Sequence, residues 1–171
     1  PTLAELEAFK TVCSPFLRLY VDLKYKTGLR QKDLLELRVR DLQGEGITLT
    51  TSKTGRKGLI PWDDELREIV RGLMRLNKVQ GETVICNDRG KPLSQHTFGA
   101  RWQNTMNRAL EQGLVKERFR EHDIRATHAT LAESEHGLNA TDQLLHDNPN
   151  QKKAYLRSKK ATTITPLPLK K

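Results

Sequence analysis

Residues 121–130 read EHDIRATHAT, and the rest of the chain is organised around them. At helical spacing His122 and Arg125 lie three residues apart and share one outward face. The opposite, more apolar stripe turns toward a core. It consists of Ile124, Thr127, His128 and Leu131. An imidazole that can exchange a proton, beside a guanidinium that stays charged, suits the binding of a phosphate group. The stretch therefore predicts a helix that presents two polar side chains to a phosphodiester.

The chain is basic over its whole length. It has 171 residues, with 30 Lys and Arg against 21 Asp and Glu, for a formal charge of +9. This length suits one domain with a substantial core and is too short for two ordinary domains. The excess of positive charge favours a polyanionic partner, and nucleic acid is the leading candidate.

The cysteines and the hydropathy pattern indicate the cellular compartment of the protein. Cys13 and Cys86 lie far apart in apolar contexts without metal-binding spacing, which predicts two buried thiols in a reducing compartment. No apolar run approaches the length of a membrane span, and no charged-then-apolar leader opens the chain. We therefore expect a soluble, cytoplasmic protein. Because the chain begins at Pro1 and enters a helix at once, we expect a domain of a longer protein.

Arg30 is predicted to stand at a junction between two helices. Ser14 and Pro15 begin a helix that runs through Lys26 and ends at Gly28, and a new amphipathic turn starts at Gln31. A side chain at such a junction has backbone N–H groups nearby, which is useful for binding an anion. The alternative is an ordinary surface arginine.

A basic hairpin is predicted over residues 46–61. The pattern alternates through residues 47–51, turns at Gly55, and returns as a strand that ends at Pro61. The tip carries Lys53, Arg56 and Lys57. These cations can reach a DNA groove or a phosphate, although lysines on an exposed loop are usually only solvated.

The remaining pattern predicts an α+β domain that is mostly helical, with a small antiparallel sheet. Further helices are expected at 2–12, from Asp63 or Asp64 to 77, from Ser94 to 112, at 139–147 and from Pro149 onward, and a short strand at 83–86. Tyr155 lies on the last helix among cations and would ordinarily be a packing residue. Residues 161–171 are expected to form an extended tail.

Together these segments resemble one known family, the tyrosine recombinases, which include phage integrases. Five blocks follow in the family's order: TGLR at 27–30 with DLLEL at 33–37, SKTG at 52–55 with Ile60 and Pro61, HDIRATHAT at 122–130, LLH at 144–146, and AYLR at 154–157. The fourth block has Leu145 where the family commonly has glycine, Asp33 replaces the usual glutamate after the first arginine, and Ala126 stands where a larger polar residue is frequent.

The resemblance implies a site-specific DNA recombinase that cleaves and rejoins strands through a 3′-phosphotyrosine bond. It assigns Arg30, Arg125 and His146 to the phosphate and Tyr155 to nucleophilic attack. His122 would accept the proton of Tyr155 or donate to the phosphate, and the sequence leaves both roles open. Lys53 would protonate the departing 5′ oxygen, and Arg56 and Lys57 are the alternative proton donors. DNA contacts are expected from Arg56, Lys57, Lys152 and Lys153. No metal or other cofactor is expected.

Further expectations concern organisation and competing functions. The catalytic domain should span residues 1–160, followed by a tail at 161–171 that is exchanged between protomers. Double-stranded DNA is the expected partner, with a homotetramer on DNA in the full-length protein, a monomer for this chain alone, and a place on the nucleoid of a bacterial cell. The alternatives are a non-catalytic DNA-binding module on the same fold, a type IB topoisomerase-like enzyme, and a metal-dependent phosphohydrolase that uses His122-Asp123.

Overall fold

The fold is built around one long helix near the amino terminus, α2. In this computed structural model, which describes residues 1–50, 53, 55, 57–139 and 162–169, α2 spans Pro15–Thr27. Ser14 caps its first turn, and Gly28 ends it in the left-handed conformation at φ 63°. A glycine adopts this conformation without steric cost, so the helix stops where the sequence predicted.

Three of the helices around α2 begin at side-chain caps that the sequence shows. Thr2 and Glu5 form a capping box at the start of α1, Asp63 caps α4, and Ser94 caps α5. These caps satisfy backbone N–H groups that have no partner within the helix. The helices are α1 (Leu3–Thr11), α3 (Gln31–Leu35), α4 (Asp64–Arg75), α5 (Gln95–Glu111) and α6 (Glu121–Ser134). A 3₁₀ turn at Val39–Asp41 follows α3.

The described strands form a three-stranded mixed sheet. Strands β1 (Gly46–Thr50) and β2 (Lys57–Pro61) make the predicted antiparallel hairpin. The third strand, β3 (Thr162–Thr163), pairs with β2 in parallel. The predicted α+β fold, mostly helical with a small sheet, is confirmed. The sheet is mixed and not antiparallel throughout, because the tail adds its strand in the direction of β2.

Two further local expectations were wrong. Residues 83–86 form isolated bridges and no strand, because their polar groups are used locally: the Thr83 hydroxyl donates to Ile85 O, and Asn77 Oδ1 accepts from Cys86 N. Cys86 is partly exposed, whereas Cys13 is buried as expected. The helices predicted at 139–147 and from Pro149 lie outside the described residues, apart from Asn139.

The core lies between α2 and the helices around it. Aromatic rings of α1, α5 and the loop before α6 meet there, with the Phe9 and Trp102 ring centroids 4.9 Å apart and those of Phe9 and Phe119 5.3 Å apart. Helices α4 and α6 both pack on α2. This packing brings the start of α6 against the end of α2, where Arg30 follows.

Candidate active site

Arg30 is the residue that immediately precedes α3. Its backbone is extended, and its carbonyl accepts the first helical hydrogen bond, from Leu34 N at 3.0 Å. The side chain is half-buried, and its Nη1 atom is buried without a hydrogen-bond partner among the described residues. A buried guanidinium N–H without a partner is costly, so this atom is suited to an anionic ligand.

Arg125 approaches Arg30 from α6. Its side chain is only 3% exposed, and Nη1 donates a hydrogen bond to the carbonyl of Gly28. The prediction that His122 and Arg125 both face outward was therefore wrong for Arg125, because α6 packs this face of its second turn against the end of α2. Residues that lie 97 positions apart in the sequence meet at this point.

The two guanidinium groups are close enough to influence each other. Burial, and then the charge of Arg30, lower the pKa of Arg125 to about 10, while the carboxylates of Asp33 and Glu121 oppose that shift. Arg125 thus remains charged at neutral pH. Two like charges held together in a partly buried place are stabilised by an anion between them.

The structure describes only three of the other predicted site residues. His122 is exposed on the first turn of α6, Lys53 is exposed between β1 and β2, and Lys57 is exposed at the start of β2. The remaining ones lie outside the described residues: Arg56, His146, Lys152, Lys153 and Tyr155.

A buried ionic cluster lies beneath the first turn of α6 and was missed by the sequence reasoning. Lys24 Nζ lies 2.8 Å from Glu121 Oε1, and the Tyr20 hydroxyl donates to the same oxygen at 2.6 Å. Burial lowers the pKa of Lys24 against the opposing charge of Glu121, and burial together with Glu121 raises the pKa of Tyr20 well above its ordinary value. One signal could have revealed the cluster, since Tyr20, Lys24 and Thr27 follow one another at helical spacing on the apolar face of α2.

His128 is fully buried one turn beyond Arg125. Its Nδ1 lies 2.6 Å from the carbonyl of Tyr25, while Nε2 is buried and has no hydrogen-bond partner among the described residues. Burial lowers the pKa of His128 to about 4, the charges of Arg125 and Lys24 add to that shift, and the bond to the Tyr25 carbonyl opposes it. The ring is therefore neutral at pH 7. The carbonyl is an acceptor, so Nδ1 carries the proton.

Neither a metal-binding cluster nor a membrane-spanning helix is found among the described residues. Within the ranges that the structure describes, no three side chains of His, Cys, Asp or Glu converge as a metal site would require. Of the helices described, none combines the length and apolar character needed to cross a bilayer.

This architecture defines the class of the protein, because the described fold is that of an integrase catalytic core. The lambda integrase catalytic core superposes with a TM-score of 0.70 and 27% identity, over 85% of this chain and 94% of that one. A lambda integrase tetramer bound to a Holliday junction gives a TM-score of 0.68 and 26% identity, over 91% of this chain and 47% of that one.

The sequence comparisons name the family. The model of the Phage integrase family matches residues 4–162, so the chain belongs to that family. A curated relative, the tyrosine recombinase XerD of Staphylococcus saprophyticus, is 24% identical in an alignment of 153 residues that covers 85% of this chain. This chain spans about half the length of that relative, 48%.

Proposed function

We propose that this chain is the catalytic domain of a site-specific DNA recombinase that breaks and rejoins DNA strands through a 3′-phosphotyrosine bond. The observation that carries the proposal is the pairing of Arg30 with Arg125, in which Arg30 Nη1 is buried without a partner among the described residues. Membership of the Phage integrase family supports it.

The arginine pair suits a scissile phosphate. A phosphodiester carries one negative charge over two non-bridging oxygens, and charge-assisted hydrogen bonds from guanidinium groups are among the strongest in proteins. In a partly buried site they would offset the charge that develops on the phosphoryl group, an effect worth about 3 kcal/mol per donor in comparable enzymes. His146 would add a further donor.

The reaction exchanges one phosphoester for another. The phenol oxygen of Tyr155 attacks phosphorus, the bond from phosphorus to the 5′ oxygen breaks, and that oxygen takes a proton from Lys53, with Arg56 or Lys57 as alternatives. His122 accepts the phenol proton or donates to the phosphate. A phenol has a pKa of about 10, so neighbouring cations would favour the attacking phenolate. Attack by a 5′ hydroxyl reverses the step, so rejoining requires no ATP.

The partner that follows from this proposal is double-stranded DNA, with a homotetramer as the working assembly. Lambda integrase has been solved as a tetramer on a Holliday junction, and the match covers 91% of this chain. Exchange of the tail between protomers would link such an assembly. In this structure residues 162–169 pack on their own chain, so that exchange stays a prediction.

Covalent capture tests the function directly. The complete chain is incubated in EDTA with a pool of nicked duplexes of randomised sequence, and adducts that survive denaturing detergent are isolated and their DNA sequenced. We expect an adduct whose phosphorylated peptide contains Tyr155 and which is absent for Tyr155→Phe.

Matched variants test the arginine pair. Arg30→Lys and Arg125→Lys should slow adduct formation about 100-fold or more, because a lysine cannot reproduce two fixed donors. Arg71→Lys is the control, since Arg71 is exposed and pairs with Glu68 on α4. DNA binding without any adduct would instead support a non-catalytic module. Cleavage that EDTA abolishes would support a metal-dependent phosphohydrolase.

A further inference from the structure

Two side chains of α6 hold the end of α2 by its carbonyl groups. The last carbonyls of a helix lack partners within it. Here His128 Nδ1 lies 2.6 Å from Tyr25 O, and Arg125 Nη1 donates to Gly28 O. Both bonds cross from α6 to the segment that leads into Arg30. The relative position of the two arginines therefore depends on these two bonds.

The His128 ring also packs directly on the backbone at Gly28. A Cβ atom built on Gly28 would lie 2.4 Å from His128 Cδ2 and 2.9 Å from Nε2. Real contacts of a Cβ do not become this short, so the ring occupies the space that a side chain at residue 28 would need. Gly28 lies two residues before Arg30, and a shift of the ring would move the start of the junction.

The surroundings of the ring distinguish it from an ordinary core residue. Its neighbours include two cations, Arg125 and Lys24, and Nε2 is buried without a partner among the described residues. A leucine would fill a similar volume without leaving a buried polar atom unpaired. The imidazole is costlier in this place than an apolar residue, which is the pattern expected where a hydrogen bond fixes geometry.

We propose that His128 is a positioning residue for the arginine pair, and that its bond to the Tyr25 carbonyl and its packing on Gly28 set the distance between Arg30 and Arg125. This inference rests on the proposed function, because the arginines matter as a pair only if they hold one phosphate. Such a site must hold its groups to within about 0.5 Å of the productive geometry.

Two substitutions separate the hydrogen bond from the volume of the ring. His128→Leu keeps most of the volume and removes the donor, whereas His128→Asn places an amide N–H close to the position of Nδ1. Met106→Ala, in the buried face of α5, is the control for a general loss of stability. All four proteins are measured at one temperature below the lowest Tm.

The first readout separates the rate of adduct formation from DNA affinity. We expect His128→Leu to lower the single-turnover rate about 10-fold to 100-fold, because a displacement of about 1 Å can cost that much, with little change in the Kd for DNA. His128→Asn should recover most of the rate, and Met106→Ala should keep it. Equal rates for the leucine and alanine variants, or an asparagine variant as slow as the leucine variant, would overturn the proposal.

The second readout does not depend on activity. The Nε–H signals of Arg30 and Arg125 are recorded by NMR in the complete chain, with and without inorganic phosphate. Both signals should move in His128→Leu, less in His128→Asn, and remain in place in Met106→Ala. If the wild-type chain forms no adduct, the proposed function fails, and these signals still decide the inference: arginine signals unchanged by His128→Leu would contradict it.

Discussion

At the scale of single residues, the site is surrounded by charges that the fold has removed from water. Lys24 is fully buried and Glu121 is 6% exposed, and their ion pair lies where α6 begins. Burying two charges costs several kcal/mol per ion, so such a pair adds little net stability compared with apolar residues. Its geometry is nevertheless specific, because removal of either partner leaves the other charge buried. The pair therefore fixes the first turn of α6 against α2.

His128 gives the molecule a defined dependence on pH. Its pKa is about 4 in the folded chain and about 6.5 in the unfolded chain, so the unfolded state binds a proton first as the pH falls. The contribution of the neutral ring is complete above about pH 7 and is lost progressively toward pH 4, by up to about 3 kcal/mol. The free energy of unfolding of the wild-type chain should therefore decrease over this window.

Urea unfolding of the wild-type chain and His128→Leu at several pH values between 7 and 4 would measure this effect. The leucine variant has no imidazole to protonate, so its stability relative to wild type should improve steadily as the pH falls. Other titrating groups are shared and cancel in the difference. A difference that stays constant across the window would show that His128 is not the titrating group.

At the scale of elements, α2 connects the site to the carboxyl-terminal tail. Lys26 is fully buried near the end of the helix, and its Nζ contacts Asp63 at 2.8 Å, Glu65 at 2.7 Å and the carbonyl of Leu167 at 2.9 Å. Leu167 N in turn donates to Lys26 O at 2.9 Å. Ile164 and Leu167 are buried. One residue of α2 thus joins α4 and the tail.

Lys26→Met should loosen the tail and lower the free energy of unfolding by about 2 kcal/mol. The methionine keeps the aliphatic stem but leaves the Leu167 carbonyl without its donor. The carboxylates of Asp63 and Glu65 are each more than a third exposed and stay in contact with solvent, and Glu65 keeps its hydrogen bond from Leu169 N. Hydrogen exchange of the Leu167 amide, followed by NMR, should become faster than exchange in the core of α2.

Lys10→Met provides the matched control, because Lys10 is also largely buried and its ammonium group pairs with Asp22 of α2 at 2.7 Å, whereas the Leu167 carbonyl accepts from Lys26. It should lower stability without a selective effect at Leu167. If both variants accelerate exchange at Leu167 to the same extent, Lys26 is not the anchor of the tail.

At the scale of the whole molecule, the formal charge of +9 bears on the strength of nucleic-acid binding. Cations that neutralise phosphates release counterions, so the affinity falls with salt in proportion to the number of phosphates contacted. For the proposed DNA partner we expect a linear decrease of log affinity with log salt concentration.

Lys57→Ala should weaken DNA binding similarly across sequences and reduce the steepness of the salt dependence by about one, because one phosphate contact is lost. Lys78→Ala is the control, since Lys78 is also exposed and lies outside the hairpin of β1 and β2. Fluorescence anisotropy over a range of salt concentrations would measure both slopes. An unchanged slope for Lys57→Ala would remove this residue from the DNA-binding surface.

The sequence by itself determined the local features of this protein. Caps at Thr2, Ser14 and Asp63, and the stop at Gly28, placed helices within a residue or two of their observed ends. These signals depend on contacts within one helical turn, so the identities of neighbouring residues are enough to predict them. The order of the motif blocks likewise indicated the family without any tertiary information.

Only the tertiary structure decided which charges are buried and what they contact. The burial of Arg125, the pairing of Lys24 with Glu121, the bond from His128 to Tyr25 and the parallel pairing of β3 with β2 all join segments far apart in the chain. Tyr20 and Glu121 are 101 positions apart, and Lys26 and Leu167 are 141 apart. No local pattern specifies such contacts, because they depend on how helices with similar apolar faces pack against one another.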